Sequence, residues 1–210
     1  MEKIGFVGTG AMGSALLSRL KLANVVATAF DIAPQAMEAA RAEGAETAPS
    51  AKAVAQNATI IDVVVRTDQE VLECMLGDKG VLEGAAPGSL VLLHSTIRPA
   101  TTKKVAELAA DKRVNVIDAC MTAVPSMVRQ GGLTFLVGGQ KAFFDRAKPH
   151  LLKMAKDAVH MGPRRHLAVA IPGATERARV PGARNPPVVH PQVDVVTGAP
   201  AAEAGGIRRV

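Results

Sequence analysis

A doubly wound α/β fold, a mostly parallel sheet with helices on both faces, is what this sequence predicts. Three observations carry the expectation. Short apolar runs, of the kind found in strands buried on both faces, recur along residues 1–160. Between them lie longer segments whose apolar residues return at helical spacing. The first run also ends in a glycine cluster, Gly8-Thr9-Gly10-Ala11-Met12-Gly13, that opens the first helical segment. Regular strand–helix alternation of this kind builds a parallel sheet, because each helical crossover returns the chain to the end of the sheet where the previous strand began.

The elements follow in order. "KIGFVG" is a short buried strand ending in glycine. From residue 11 to 22 Met12, Ala15, Leu16 and Leu20 form the apolar side of a helix, with Ser14, Ser18, Arg19 and Lys21 between them. "VVATAFD" is a second strand, and residues 34–43 an Ala-rich helix with Pro34 in its first turn and Gly44 as its stop. "TIIDVVV" (59–65) and "SLVLLHS" (89–95) are further buried strands. Residues 99–111 form a helix, again with proline first, and Val105, Leu108 and Ala109 are expected to face inward. "VNVIDA" (114–119) and "LTFLVGG" (133–139) are strands, and His160 closes another. The helix in "KAFFDRAKPHLLKMA" places Phe144, Ala147 and Leu151 on one face, and Pro149 is expected to disturb it.

Composition excludes several function classes. Five Phe with no Trp or Tyr argue against a nucleic-acid platform built on ring stacking. Two cysteines, Cys74 and Cys120, make no disulfide framework and suit a reducing compartment. No secretory segment opens the chain and no run approaches eighteen apolar residues, so the expectation is a cytoplasmic protein without a membrane partner. The net charge of +6 is unevenly placed. Residues 161–210 hold seven arginines, three acids, seven of the thirteen prolines and no lysine. The basic character therefore belongs to a compositionally distinct tail, and the body has no basic nucleic-acid surface.

The glycine cluster gains meaning from its surroundings. Alone, glycines at this spacing occur in many bare turns. Here the cluster leaves a strand, opens a helix, and is followed by Asp31 at the end of the second strand, 18 residues beyond Gly13. That is the distance at which an acid accepts a ribose hydroxyl in a dinucleotide fold. Gly8 permits the tight turn, Gly10 lets a pyrophosphate approach, and Gly13 lets helix and strand close up. The helix N-terminus adds free N–H groups and a partial positive charge. A carboxylate at 31 would repel a 2′-phosphate and Ile32 offers no cation, so NAD is expected over NADP. Asp31 could equally cap the turn before Pro34, a role the same position allows.

Together "GFVGTGAMG", "HSTIRP", "DACMTAVP" and "GGLTFLVGG" resemble the β-hydroxyacid dehydrogenases, the group of 3-hydroxyisobutyrate dehydrogenase and tartronate semialdehyde reductase. Their Rossmann-type cofactor domain is shared with 6-phosphogluconate dehydrogenase and the imine reductases. The likeness covers residues 1–162. It implies that the glycine segment holds the pyrophosphate, that Val65, Arg66 and Thr67 pass beside the adenosine ribose and phosphates, and that Thr96, with Ser95 beside it, reaches the nicotinamide. It also implies that Thr122, Ala123 and Val124 bind a small-molecule substrate, a carboxylate in the parent group. The family segment there reads D-A-P-V-S-G-G. Thr122 keeps a hydroxyl, but Ala123 and Val124 replace two glycines and restrict the backbone where amides should fold around an anion. Leu93 stands where the family commonly has Asp. Arg66 faces either a phosphate, a substrate carboxylate or solvent; the residues leave these open.

The resemblance also implies a catalytic lysine, the general acid/base, on a long helix entering a second, all-α domain that carries the homo-oligomer surface. After His160-Met161-Gly162-Pro163 no lysine follows. Residues 163–210 read as an irregular Pro/Gly/Arg-rich tail, so no catalytic residue is identifiable and the all-α domain is expected to be absent. The tail is either a genuine extension or an out-of-frame product of a GC-rich gene; the abrupt break favours the second. The expectation is an NAD-dependent oxidoreductase with impaired turnover. The alternatives are an imine or larger-carbonyl reductase, and a non-catalytic dinucleotide module with a basic tail. No metal site is expected: His166 and His190 lack partners at ligand spacing. His160 is expected to be structural; His94, beside the S-T pair, either approaches the cofactor or, as strand histidines more often do, serves as a core or rim histidine. Cys120 is expected to be a small filler rather than a nucleophile.

Overall fold

The structure, a computed structural model, describes residues 2–162, and the expectations for residues 163–210 lie outside them. Eight strands form one sheet: β1 (Ile4–Val7), β2 (Ala27–Phe30), β3 (Glu46–Thr47), β4 (Ile60–Val63), β5 (Leu90–Leu93), β6 (Asn115–Met121), β7 (Thr134–Gly138) and β8 (Asp157–His160). Their order across the sheet is β3-β2-β1-β4-β5-β6-β7-β8. Every neighbouring pair is parallel except β6 and β7, which run antiparallel with Asp118 opposite Gly138. The chain winds outward from β1 in one direction, then returns to β4 on its other side. This reversal is the topological switch point beside which such sheets bind ligands.

Two apolar layers cover the sheet. On one face α1 (Ala11–Leu22) and α7 (Lys141–Met154) bury Leu16, Leu20, Phe144, Ala147 and Leu151 against Phe6, Ile60, Leu92, Ile117 and Phe135. On the other face α3 (Ala51–Gln56), α4 (Asp68–Leu76) and α5 (Pro99–Asp111) bury Val54, Val71, Met75, Val105 and Ala109 against Val7, Ile61, Val63, Val91 and Leu93. The central strands β1, β4 and β5 are buried at every position, which is why they read as continuous apolar runs. Two further helices, α2 (Pro34–Ala42) and α6 (Pro125–Arg129), flank the first layer.

Two expectations are corrected. Leu108 is 39% exposed. The buried arc of α5 is Thr101, Thr102, Val105 and Ala109, and Leu108 falls at its rim. Pro149 does not interrupt α7, which runs unbroken from Lys141 to Met154. Burial of Phe144, Ala147, His150, Leu151 and Met154 holds both halves of that helix on the sheet, which outweighs the missing N–H. The short elements β3, α3, α4 and α6 were not legible from periodicity; each buries three residues or fewer.

Candidate dinucleotide site

The C-terminal ends of β1, β2, β4, β5 and β6 gather nearly all the sequence-predicted residues along one edge of the sheet. At the end of β1 the three glycines answer three different steric demands. Gly8 has φ +92°, and a Cβ there would lie 2.2 Å from the Val64 carbonyl oxygen. Gly13 is in the first turn of α1, where a Cβ would lie 2.2 Å from the Gly8 oxygen. At Gly10 a Cβ would meet no atom of the described residues within 4 Å beyond its own chain neighbours, so that space is open above the turn. Two of the glycines serve the fold. The third meets no such steric demand among the described residues.

Thr9 lies between them, buried, with its hydroxyl donating to the Ala36 carbonyl at 2.9 Å. Its amide donates to Asp31 Oδ2 at 2.7 Å, while the Ala33 amide donates to Oδ1 at 2.9 Å. Asp31 thus ties the glycine turn to the end of β2 and caps the turn before Pro34, the second of the two roles anticipated for it. Ile32 beside it is 89% exposed. Among the described residues no side chain caps the N-terminus of α1, no acid sits in its first turn, and Ala11 is exposed and Met12 half-buried. The amides of that turn are therefore available to an anion, the arrangement a diphosphate requires.

Along the edge, the Ser95 hydroxyl donates to the Val65 carbonyl at 2.6 Å, joining the turns after β4 and β5. Thr96 is exposed. Thr67 caps α4, accepting from the Glu70 amide at 3.1 Å. Arg66 reaches solvent, with its side chain 89% exposed and paired to Glu70 at 2.9 Å. After β6, the Thr122 hydroxyl donates to the Thr134 carbonyl at 2.9 Å, so its proton turns toward the neighbouring strand. Ala123 is half-buried and Val124 is 56% exposed. Behind this segment Arg129 donates to Ser14 Oγ at 2.9 Å and pairs with Glu43 at 2.7 Å, tying α6 to α1 and to the end of α2.

Sequence reasoning passed over one cluster. Asp62, in the middle of β4, is fully buried and accepts from His94 Nε2 at 2.7 Å and His150 Nε2 at 2.7 Å. His94 Nδ1 donates to the Ala119 carbonyl at 2.8 Å. Burial alone would push the Asp62 carboxyl up, but the two imidazoles outweigh it and hold it down at about 2. The available signal was the acid inside the run "TIIDVVV", since a carboxylate enters a buried strand only with partners. His94 is the core histidine anticipated, and His160 is structural, meeting the Gly139 carbonyl at 2.8 Å and stacking on Phe144. Burial, with Asp118 adding to it, pushes the Cys120 thiol up to about 12, which suits a filler and not a nucleophile. Among the described residues no group of three ligand-type side chains is arranged to hold a metal, and no helix is long and apolar enough to cross a membrane.

The fold and this edge define a dinucleotide-binding domain of the Rossmann type. A family described as the NAD-binding domain of 6-phosphogluconate dehydrogenase matches residues 3–162. The chain is 35% identical over 162 residues to the 3-hydroxyisobutyrate dehydrogenase of Pseudomonas aeruginosa, covering 77% of this chain and 54% of that one. The Mycobacterium tuberculosis 3-hydroxyisobutyrate dehydrogenase solved with L-serine superimposes with a TM-score of 0.73 at 31% identity, over 78% of this chain and 55% of the other. An uncharacterized oxidoreductase of the same organism aligns over 202 residues at 30% identity, 96% of this chain and 63% of the relative, and so enters the 163–210 stretch. The chain belongs to the β-hydroxyacid dehydrogenase family and carries its cofactor domain. It spans about half the length of the curated dehydrogenase it matches.

Proposed function

We propose that this chain is the cofactor-binding half of an NAD-dependent β-hydroxyacid dehydrogenase, binding the dinucleotide while turning substrate over poorly. The observation that carries this is Gly10. Its missing side chain leaves space open beside the uncapped helix terminus where a diphosphate would lie, although no described residue beyond its chain neighbours crowds that position. The residues fit the group. The amides of Gly10, Ala11, Met12 and Gly13 would hold the pyrophosphate and Asp31 the adenosine ribose. Val65, Arg66 and Thr67 would lie along the adenosine side, and Thr96 toward the nicotinamide. Asp31 favours NAD over NADP, because its carboxylate opposes a 2′-phosphate and the neighbour at 32 is isoleucine. The bound nicotinamide would supply the hydride acceptor or donor.

The substrate class is a small hydroxy acid, met by Thr122, Ala123 and Val124. Here the chain's own residues limit turnover. The Thr122 proton is engaged by the Thr134 carbonyl, and Ala123 and Val124 bring Cβ atoms where the family has glycines. No lysine follows Lys156, so none stands where the family's general acid/base belongs. The exposed Val124 and Met127 side chains, 56% and 47% exposed, support a second reading, reduction of an imine or a larger, less anionic carbonyl. Equilibrium titration with NADH and NADPH, followed by assays with NAD and 3-hydroxyisobutyrate, L-serine or D-glycerate, tests the proposal. Tighter binding of NADH with little turnover is expected. Absence of binding to either nucleotide would remove the dinucleotide reading, and turnover at an ordinary enzyme's rate would remove the claim of impairment.

A further inference from the structure

The bridge through Asp62 is costly and unrequired by the sheet. Its neighbours on the same face, Ile60, Leu90 and Leu92, show that an apolar side chain fills such a position without partners. Three groups are buried instead, His150 with its Nδ1 left without a partner among the described residues. The donor count fixes how they are joined. An ionised Asp62 and the Ala119 carbonyl are both acceptors, so both ring nitrogens of His94 donate, one to each. His150 donates from Nε2 to the second oxygen of Asp62. One imidazole at the end of β5 is thereby pinned to β4 on one side and β6 on the other, with its ring against Phe135 at 5.1 Å between centroids. The carboxylate that pins it is itself held by α7.

The residues after His94 are Ser95, whose hydroxyl donates to Val65, and the exposed Thr96. We propose that the Asp62 bridge between His94 and His150 is a positioning device that fixes the Ser95–Thr96 turn for the nicotinamide half of a bound dinucleotide. The proposal rests on the dinucleotide reading above and adds to it three positioning residues, none of which touches the cofactor. Geometry separates the two halves of the ligand. The glycine turn, Asp31 and the Val65–Thr67 turn, at the ends of β1, β2 and β4, serve the adenosine and pyrophosphate, whereas His94 leads directly into the Ser95–Thr96 turn at the end of β5. Loss of the bridge should therefore weaken ligands in proportion to how far they extend toward the nicotinamide.

The test compares NADH with ADP-ribose, which lacks the nicotinamide, by calorimetry on the full 210-residue chain. Asp62→Ala leaves both imidazoles without their acceptor. It should lower NADH affinity about tenfold while ADP-ribose stays within about twofold. Asp62→Asn keeps the connection in neutral form, with its amide donating to His94 Nε2 and its oxygen accepting from His150, and should hold NADH within about threefold of the parent. Equal losses for both ligands, no loss for either, or an Asn variant as weak as the Ala variant would each overturn the proposal. If Asp62→Ala does not fold, His150→Leu against His150→Gln, whose amide can still donate to Asp62, gives the same comparison with the same outcomes. A parent chain that binds neither ligand removes the dinucleotide reading itself. A parent that binds both, with variants that do not discriminate, removes only the positioning role.

Discussion

Gly8 and Gly13 face different stretches of backbone, Gly8 the Val64 carbonyl after β4 and Gly13 the turn that leaves β1, and neither tolerates a methyl group. At Gly13 the added carbon would stand 2.2 Å from the Gly8 oxygen, a contact no rotamer can relieve. Gly13→Ala should therefore destabilise the chain by on the order of 2 kcal/mol, read as a lowered melting temperature, as well as weakening the nucleotide. The effect proposed for Asp31 is one of charge. Replacing it by serine and Ile32 by arginine removes the carboxylate and brings a cation to an 89% exposed position. The double variant should reverse the order of affinity so that NADPH exceeds NADH; an unchanged order would show that Asp31 acts only as the cap it also is. The single acid at 62 follows the opposite logic, since its effect comes from two distant partners, His94 after β5 and His150 in α7.

Among the elements, α7 is the one whose sequence and structure pull apart. Pro149 removes a helical hydrogen bond from its interior, yet the buried face through Phe144, Ala147, His150, Leu151 and Met154 keeps it continuous. Pro149→Ala restores that donor and should stabilise the chain by about 1 kcal/mol or more, checked as a higher melting temperature; a lower one would mean that the ring is needed where it sits. The same helix explains what the sequence could and could not disclose. β1, β4 and β5 were legible because both faces of each are buried, and α1 because its apolar positions recur over three turns. α4 and α6 were not, since α4 buries only Val71 and Met75, and α6 only Val128, which leaves no period to find. The glycine turn was legible because it depends on residues close in sequence. The Asp62–His150 contact joins positions 88 apart, and local periodicity carries no trace of it.

At the scale of the whole molecule, the buried bridge also sets how the chain meets acid. The Asp62 carboxyl is held at about 2, below its ordinary value of 3.8, so the stability it contributes is fully present above 3.8 and is lost as pH falls toward 2. The contribution is on the order of 2 kcal/mol. Melting temperature should fall across that window, and Asp62→Asn should flatten the fall; an identical slope in both proteins would deny the carboxylate this role. The two origins of residues 163–210 part at the gene, where translation of the other frames past codon 162 either yields a lysine-bearing helical segment or does not. The dinucleotide cradle can be tested without that answer, because Gly10 separates binding from folding. Gly10→Ala adds a methyl group that meets no atom of the described residues within 4 Å beyond its own chain neighbours. Titrating parent and variant with NADH, alongside their melting curves, is the most direct measurement. The cradle predicts matching melting temperatures with affinity lowered at least about tenfold in the variant. Equal NADH affinity in the two proteins, or no binding by the parent, would contradict it.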